Sequence, residues 1–295
     1  MQIAGLLLLL VTFVQTPAFK SDPPHQCDSC DEWNKPREPF KMFGNSYFVG
    51  TDGLSSILIT GDAGHILLDG GLEQSAALID ANIRKLGFKT EDVKLIVNSH
   101  GHYDHAGGIA ALQRASGATV AASPSGASAL QRGENTPDDP QFGFGKAFNG
   151  FPPVKNVKVI RDSEALRVGK VAITANFTPG HTPGSTTWTW QSCEGAKCLN
   201  MVYADSISAV SADGFKFTAK PEVITLFRRS ITRLGELPCD IVVSTHPSAT
   251  NLDAKIKRRA ESKGSGPDPF IDQGCKALAA GALKALDARI AEEKK

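Results

Sequence analysis

A short segment, NSHGHYDHAGG at residues 98–108, concentrates side chains that can bind a metal ion. It holds three of the seven histidines of the 295-residue chain, and Asp104 lies among them. His100 and His102 are alternate residues, so an extended loop would point both imidazoles the same way. Asp104 and His105 follow a bend and can face a second ion. Because imidazole nitrogen and carboxylate oxygen suit Zn²⁺, the spacing predicts part of a two-metal site.

Three apolar runs of the sequence each end close to histidine. KLIVN precedes the histidine-rich segment, AITANF precedes TPGHTPGS around His181, and DIVVS precedes THPS around His246. If two sheets align these strands, the histidines meet Asp104 at one sheet edge. Such crowding of ligands is unlike an isolated core histidine, and His25 and His65 have no comparable context. We therefore expect distant loops to supply the remaining ligands.

The hydrophobic patterning outlines an α/β protein. Strands are predicted in NSYFVG, in LSSILITGDAGHILLDGG with a hairpin at GDAG, and in KLIVN and TVAA. Helices are predicted over residues 72–86, 107–117, 124–132 and 221–234 and near the C-terminus. The second half has the same order of elements, with KVAITANF, TTWTWQ, MVYAD and DIVVST as strands. Two such halves predict two sheets packed face to face with helices outside.

The N-terminal residues 1–18, MQIAGLLLLLVTFVQTPA, contain no charged side chain and a run of five leucines. Their apolar core is short for a membrane span and small residues follow it, which is typical of a cleaved signal peptide; the alternative is an uncleaved buried helix. We expect export to the periplasm, no membrane attachment after cleavage, and one domain over residues 19–295, with the polar, proline-bearing residues 21–40 on its surface. With 32 Lys+Arg against 31 Asp+Glu, the charge balance favours a small-molecule site over nucleic acid.

Six cysteines agree with export, because an oxidising compartment favours disulfides. Cys193 and Cys198 bracket SCEGAKC, a polar loop that a bridge would close. Cys239 begins the predicted strand CDIVV, and Cys275 lies at the head of the last helix. A bridge between these two would close about 37 residues and stabilise the fold by about 3–4 kcal/mol in the chain-entropy model.

The remaining two cysteines, Cys27 and Cys30, form a CxxC motif. They can pair with each other, or they can act as a redox pair. Asp28 and Asp31 would raise the pKa of the two thiols, and no βαβ unit surrounds them. These features favour a structural pair over a redox role.

Residues 133–156, named the flap here, are rich in Gly and Pro and carry four phenylalanines. A loop of this length is usually functional or disordered. The aromatic residues are consistent with a flap that covers a substrate, and equally with a packed surface loop. The spacing Gly143-x-Gly145 lacks the strand and helix of a dinucleotide-binding fingerprint.

The HxHxDH motif, together with TPGHTPGST, YADSIS and CDIVVSTHPS, resembles the metallo-β-lactamase superfamily, most closely its class B, subclass 3 zinc β-lactamases. The resemblance extends over about residues 35–280. It implies an α/β fold of the αββα sandwich type, with two mixed β-sheets face to face and helices on the outside, and two zinc ions per chain. It assigns one zinc to His100, His102 and His181 and the other to Asp104, His105 and His246. It also implies the bridge Cys239–Cys275 and, as in some members, Cys193–Cys198.

Residues 202–208, VYADSIS, distinguish branches of that superfamily. Other zinc β-lactamase subclasses have a cysteine ligand here, which this chain lacks. The resemblance implies that Ser206 orients metal-bound water and that Ser208 binds the substrate carboxylate. Thiolester hydrolases and lactonases use an aspartate that bridges two metals, and Asp205 leaves this alternative open.

The implied activity is hydrolysis of the β-lactam amide bond in penicillins, cephalosporins and carbapenems, and hence antibiotic resistance. A metal-bound hydroxide would attack the carbonyl, with Asp104 as both a ligand and the group that orients it. Gln141 is expected to contact the substrate, and Asp69 in LLDGG to support the metal loops. We expect a monomer. Iron-dependent oxidoreductases and a non-catalytic zinc-binding module are the alternatives from other functional classes.

Overall fold

Two β-sheets form the centre of the protein. The computed structural model describes residues 19–295, and the expected signal peptide at residues 1–18 lies outside the described part. The first sheet has the order β1 to β7, formed by Phe40–Phe43, Ser46–Phe48, Ile57–Ile59, His65–Leu68, Val93–Val97, Thr119–Ala122 and Val157–Val159. The second has the order β12-β11-β10-β9-β8, where β8 to β12 are Ala165–Val168, Val171–Phe177, Thr186–Glu194, Lys197–Ala204 and Ile241–Ser244.

Both sheets are mixed, as the resemblance implies. Strands β1 to β4 pair antiparallel and β4 to β7 parallel. In the second sheet β8 to β11 are antiparallel, and β12 runs parallel to β11. Parallel strands end at the same edge of a sheet, where ligand sites of α/β proteins form. The segments that begin at Asp69, Asn98, Asp205 and Thr245 follow β4, β5, β11 and β12 at this edge.

Helices cover the outer faces of the two sheets. In chain order, helices α1 to α9 are Cys30–Trp33, Ser75–Lys85, Tyr103–Ala106, Ile109–Ser116, Pro124–Arg132, Lys146–Asn149, Pro221–Glu236, Leu252–Ser262 and Cys275–Glu292. Short 3₁₀ helices are Thr90–Asp92, Phe142–Phe144, Phe217–Ala219 and Pro247–Thr250. Apolar residues of α2, α4 and α5 share a core with the first sheet, and those of α7 and α9 with the second. The predicted αββα sandwich is thus confirmed. Across residues 19–295, none of the helices combines the length and apolarity needed to cross a membrane.

Strand residues alternate between an inner core and two outer cores. In β3, Ile57 and Ile59 join the core between the sheets, whereas Leu58 joins the core beneath α2 and α4. In β11, Tyr203 belongs to the inner core and Val202 to the core beneath α7 and α9. Because both faces of these strands are buried, their sequences are almost continuously apolar. This burial explains why the apolar runs predicted strands correctly.

Local boundaries differ from the sequence-based expectations in three places. The predicted strand at CDIVV begins only at Ile241, because the carboxylate of Asp240 accepts hydrogen bonds from the main chain and side chain of Asn200. Residues 21–40, expected to lie on the surface, include α1, whose Cys30 is buried in the core beneath α2 and α4. The flap contains a 3₁₀ turn followed by α6, so it is an ordered segment with its own short helices.

All six cysteines are paired as disulfides. The bridges are Cys27–Cys30, Cys193–Cys198 and Cys239–Cys275. Cys193 and Cys198 are direct cross-strand partners in the hairpin of β10 and β11. The CxxC motif is therefore an oxidised pair in this structure. The pairings Cys239–Cys275 and Cys193–Cys198, which the resemblance implies, are present, and the structure also pairs Cys27 with Cys30, which the sequence left open.

One carboxylate links the C-terminal end of α9 to the loop after β11. Glu293 accepts hydrogen bonds from the main-chain N–H groups of Phe217 and Thr218, at 3.2 and 2.8 Å, and from Arg289 at 2.8 Å. Burial opposes the ionisation of Glu293, but these donors outweigh it and lower its pKa to about 2. The loop that carries Phe217 is thereby held against α9.

Removal of the Cys239–Cys275 bridge should destabilise the protein more than removal of Cys193–Cys198. The two bridges span 36 and 5 residues of sequence, so the chain-entropy model predicts losses of about 4 and about 2 kcal/mol for the paired Cys→Ser variants. The measurement is urea denaturation of metal-free protein without reductant. Equal losses, or a larger loss for the short bridge, would contradict the loop-length argument.

Glu293→Gln should weaken folding in a pH-dependent way. Because the folded-state pKa of Glu293 lies below its ordinary value of 4.5, its stabilisation is present above that pH and is lost as the pH falls toward about 2. The difference in unfolding free energy between native protein and the variant should therefore be largest near neutrality and decline in acid. Glu292→Gln, at an exposed neighbour, serves as the control and should show no such trend.

Candidate metal centre

Three histidines from two distant segments form a compact group. His100 and His102 lie in the loop after β5, and His181 lies in the loop after β9. Their potential ligand atoms are all within 4.8 Å of one another. The imidazole centroid of His181 is 4.8 Å from that of His100 and 5.0 Å from that of His102. The tertiary structure therefore brings His181 to the local histidine cluster.

A second group lies directly beside the first. Potential ligand atoms of His100, Asp104 and His105 are within 4.8 Å of one another. His246 adjoins this group, since its Nε2 is 3.3 Å from Asp104 Oδ2 and its ring centroid is 4.9 Å from that of His105. The structure thus brings together the three residues expected for the second zinc. His100 is a member of both groups.

Outer partners of His100 and His181 leave one nitrogen of each of these two rings free to face the centre. His100 Nδ1 lies 2.7 Å from Asp205 Oδ1, and His181 Nδ1 lies 2.8 Å from the carbonyl oxygen of Ser208. Within residues 19–295, His100 Nε2 and both ring nitrogens of His105 are buried and have no hydrogen-bond partner, and His105 Nε2 lies 3.1 Å from Asp104 Oδ2. Buried polar atoms normally have a partner, so His100 Nε2 and one nitrogen of His105 fit metal ligands. The donor set of imidazoles and one carboxylate suits Zn²⁺.

His102 has the opposite orientation. Its Nε2 faces both carboxylate oxygens of Asp139, at 3.2 and 3.1 Å, which leaves Nδ1 as the free nitrogen. Burial alone would lower the pKa of His102, but the Asp139 carboxylate outweighs burial and raises it. Sequence reasoning did not identify Asp139. Asp139 lies in the flap, two residues before Gln141. Nothing in the surrounding sequence indicates that this segment approaches the histidine loop.

Burial and neighbouring charges shift the pKa values of His100, His181 and Asp104. Burial and the neighbouring His102 lower the pKa of His181 to about 3, and burial lowers the pKa of His100 well below its ordinary value. Burial opposes the ionisation of Asp104, but His105 holds its pKa well below the usual range. Neutral imidazole and ionised carboxylate are the forms that bind zinc.

Asp205 lies behind His100. The carboxylate is fully buried, and burial raises its pKa well above the ordinary value. Its contact with His100 Nδ1 is the carboxylate–histidine arrangement that orients an imidazole whose other nitrogen binds metal. This contact favours a supporting role for Asp205 over the metal-bridging role of thiolester hydrolases and lactonases.

Asp69 connects the histidine loop to both sheets. It follows β4 with a left-handed φ of 57° and is fully buried. Its carboxylate accepts hydrogen bonds from Asn98 Nδ2, from Ser99 N and Oγ, and from Tyr203 Oη, at 2.6 to 3.0 Å. Burial raises the pKa of the Asp69 carboxyl. The residue thus fixes the start of the histidine loop.

Two serines of VYADSIS lie on the rim of the centre. The buried hydroxyl of Ser206 is 2.8 Å from Thr245 Oγ1. Ser208 is exposed, and it reaches His181 Nδ1 through both its carbonyl oxygen and its hydroxyl, at 2.8 and 3.3 Å. Both serines and His246 line a cavity of about 500 Å³ that extends along α9. This volume is in the range of small-molecule sites.

The flap packs against the histidine loop from the other side. The Phe148 ring lies 5.2 Å from that of Tyr103 and 5.3 Å from that of Phe144, between ring centroids. Phe144 and Phe148 remain 40% and 37% exposed, so two apolar rings face solvent beside the centre. Gln141 is half-buried and its main-chain N–H is held within the flap. The exposed rings favour a surface that contacts a ligand.

Comparisons with known proteins agree with this architecture. The sequence model of the metallo-beta-lactamase superfamily matches residues 44–193. The structure of the Rm3 metallo-beta-lactamase has 52% sequence identity and a TM-score of 0.87, over 92% of this chain and 100% of that chain. MEM-A1, a subclass B3 metallo-beta-lactamase from a soil metagenome library, has 45% identity and a TM-score of 0.84, over 89% and 98%. Metallo-beta-lactamase SMB-1 bound to 2-mercaptoethanesulfonate has 42% identity and a TM-score of 0.84, over 88% and 99%.

The fold, the histidine-rich centre and these similarities define one class of protein: the chain belongs to the metallo-β-lactamase superfamily. Within it, the chain falls in the subclass B3 group, to which MEM-A1 and BJP-1 of Bradyrhizobium japonicum also belong. The resemblance found in the sequence is thereby confirmed. Membership implies a divalent metal, for which His100, His102 and His181 form a possible site.

Tyr203→Phe should destabilise the protein by loosening Asp69. Tyr203 Oη contacts Asp69 Oδ2 at 2.8 Å and the Ser55 carbonyl oxygen at 2.9 Å, and all three groups are buried. The hydroxyl has one proton to donate, so its loss removes a hydrogen bond to one of these buried acceptors, which costs about 1–3 kcal/mol. Urea denaturation of the metal-free protein measures this loss. Tyr47→Phe is the control; a loss for Tyr203→Phe no greater than for the control would contradict the role assigned to this contact.

Proposed function

We propose that the protein hydrolyses the amide bond of β-lactams, including penicillins, cephalosporins and carbapenems, with zinc as cofactor. The observation that carries this proposal is the convergence of five imidazoles and one carboxylate, from three separate segments, with free nitrogens facing a common centre. The close relation to proteins named metallo-beta-lactamases supports the same activity.

We assign two zinc ions to this centre. His100, His102 and His181 would hold one ion, and Asp104, His105 and His246 the other. When bound, zinc polarises a carbonyl oxygen and lowers the pKa of a bound water to about 7. Coordination would use Nε2 of His100 and His181 and Nδ1 of His102, because the opposite nitrogens contact outer partners.

The surrounding residues bind and orient the reactants. Oδ2 of Asp104 is directed at His105 and His246, which leaves Oδ1 able to accept a hydrogen bond from the attacking water. The exposed hydroxyl of Ser208 can donate to the substrate carboxylate, and Ser206 lies next to it on the same cavity. Water replaces a protein nucleophile in this reaction, so no covalent acyl-enzyme forms.

Gln141 and the two exposed phenyl rings of the flap would contact the substrate from the opposite side. Phe144 and Phe148 offer apolar surface next to the histidine loop, which suits the ring substituents that vary among β-lactams. Closure of this surface over a substrate would exclude bulk water and strengthen the polar interactions within the centre.

We also propose that the chain is exported to the periplasm as a single-domain monomer and confers β-lactam resistance there. Three disulfides support an oxidising compartment, and residues 1–18 have the composition of a signal peptide. Fractionation of expressing cells and gel filtration of the mature protein test location and assembly. Cytoplasmic retention of the full-length chain would contradict the proposed export.

Zinc removal should abolish activity reversibly. Protein treated with a chelator should hydrolyse neither a carbapenem nor a cephalosporin, and added Zn²⁺ should restore both reactions. A thiolester and a lactone, assayed in parallel, should react far more slowly than the β-lactams. Full β-lactamase activity after complete metal removal would disprove the zinc mechanism.

His181→Ala should lower kcat/KM for a β-lactam by more than about 100-fold, because removal of a direct ligand costs more than the 10–100-fold typical of an outer partner. The bound zinc, measured by elemental analysis, should fall from two equivalents. His65→Ala is the control: this histidine lies in β4, outside both groups, and its removal should leave zinc content unchanged. Unchanged zinc content in His181→Ala would exclude this residue as a ligand.

A further inference from the structure

One carboxylate of the flap reaches a metal-binding imidazole. Asp139 is 4% exposed, and both of its carboxylate oxygens lie within hydrogen-bond distance of His102 Nε2. It comes from a segment 37 residues further along the chain. A buried carboxylate in this place accepts the imidazole N–H and leaves the lone pair on Nδ1.

The same carboxylate also organises the flap. Asp139 Oδ1 accepts the main-chain N–H of Gln141 at 2.8 Å. The adjacent carbonyl oxygen of Pro140 accepts the N–H of Ala212 at 3.0 Å, so the loop after β11 is held to the same point. One short stretch of flap thus contacts both the histidine loop and the loop after β11, which border the centre.

The orientation of His102 depends on the flap, whereas that of its neighbours depends on the second sheet. His100 and His181 present Nε2 to the centre because partners in the segment after β11 hold their Nδ1 atoms. His102 presents Nδ1, and the group that enforces this reversed orientation belongs to the flap. A disordered flap would release His102 to rotate or to change tautomer, and the three-histidine group would lose its geometry.

We propose that Asp139 is a positioning residue that fixes the tautomer and ring orientation of His102, and that it couples the order of the flap to metal binding by His100, His102 and His181. This inference rests on the proposed zinc centre. The flap then has two roles, because it presents apolar rings to the substrate and also supplies the outer partner of a metal ligand. Metal bound at His102 and order in residues 139–150 would stabilise each other.

The test compares Asp139→Ala, Asp139→Asn and Asp138→Ala. Zn²⁺ affinity, measured by competition with a chromophoric chelator, should fall about 10- to 100-fold in Asp139→Ala, as for other outer partners of metal ligands. Asp139→Asn keeps one side-chain oxygen as acceptor and should recover part of the affinity. Asp138 is exposed and adjacent, so Asp138→Ala should bind Zn²⁺ like the native protein. Circular dichroism of the metal-free variants verifies that each is folded.

Two further readouts distinguish positioning from general stability. Cobalt(II) substituted for zinc should show an altered d–d absorption spectrum in Asp139→Ala, and amide exchange in residues 139–150 should lose the protection that added Zn²⁺ gives the native protein. Native affinity and an unchanged spectrum in a folded Asp139→Ala would overturn this inference alone. Failure of the native protein to bind Zn²⁺ would overturn the proposed function and this inference together.

Discussion

A neutral imidazole has one donor nitrogen and one acceptor nitrogen, and the whole site depends on directing the donors outward and the acceptors inward. Each partner that accepts an outward N–H decides which nitrogen faces the centre. These partners are Asp205, Asp139, the carbonyl of Ser208 and the carbonyl of Gly53, for His100, His102, His181 and His246 in turn. Two of these partners are carboxylates and two are carbonyls. The four imidazoles are therefore oriented without a large local excess of negative charge.

The sandwich brings the ends of strands from two sheets to one place. Asp69 links the two sheets by hydrogen bonds. Its carboxylate accepts one from the loop after β5 in the first sheet and one from Tyr203 of β11 in the second. The segment before β1 also contacts the centre. The Trp33 ring packs on His246 at 5.3 Å between ring centroids, and the disulfide Cys27–Cys30 lies just before Trp33 in the chain. On the opposite side, the flap contacts Tyr103 and His102 of the histidine loop. The ligands are therefore held by both sheets and by two peripheral segments.

The sequence predicted most of the fold, because burial on both faces leaves long apolar runs that are readily seen. KLIVN and ILIT contain most of β5 and all of β3, and α7 and α9 lie where apolar stripes predict helices. The boundaries were less predictable where a side chain far along the chain decides them, as Asp240 does before β12. The sequence also left the conformation of the flap open, since its short helices depend on contacts such as that of Phe148 with Tyr103.

For the site, the sequence alone determined which residue types were present and at what spacing. It supplied three histidines and Asp104 in one loop, and His181 and His246 each after an apolar strand. Local spacing constrains neighbours in the chain, so the cluster at residues 100–105 was recognisable without coordinates. Only the tertiary structure decided which nitrogen each imidazole presents. That choice is made by a hydrogen bond with a distant segment, such as that between His102 and Asp139, and periodicity carries no information about a contact across 37 residues.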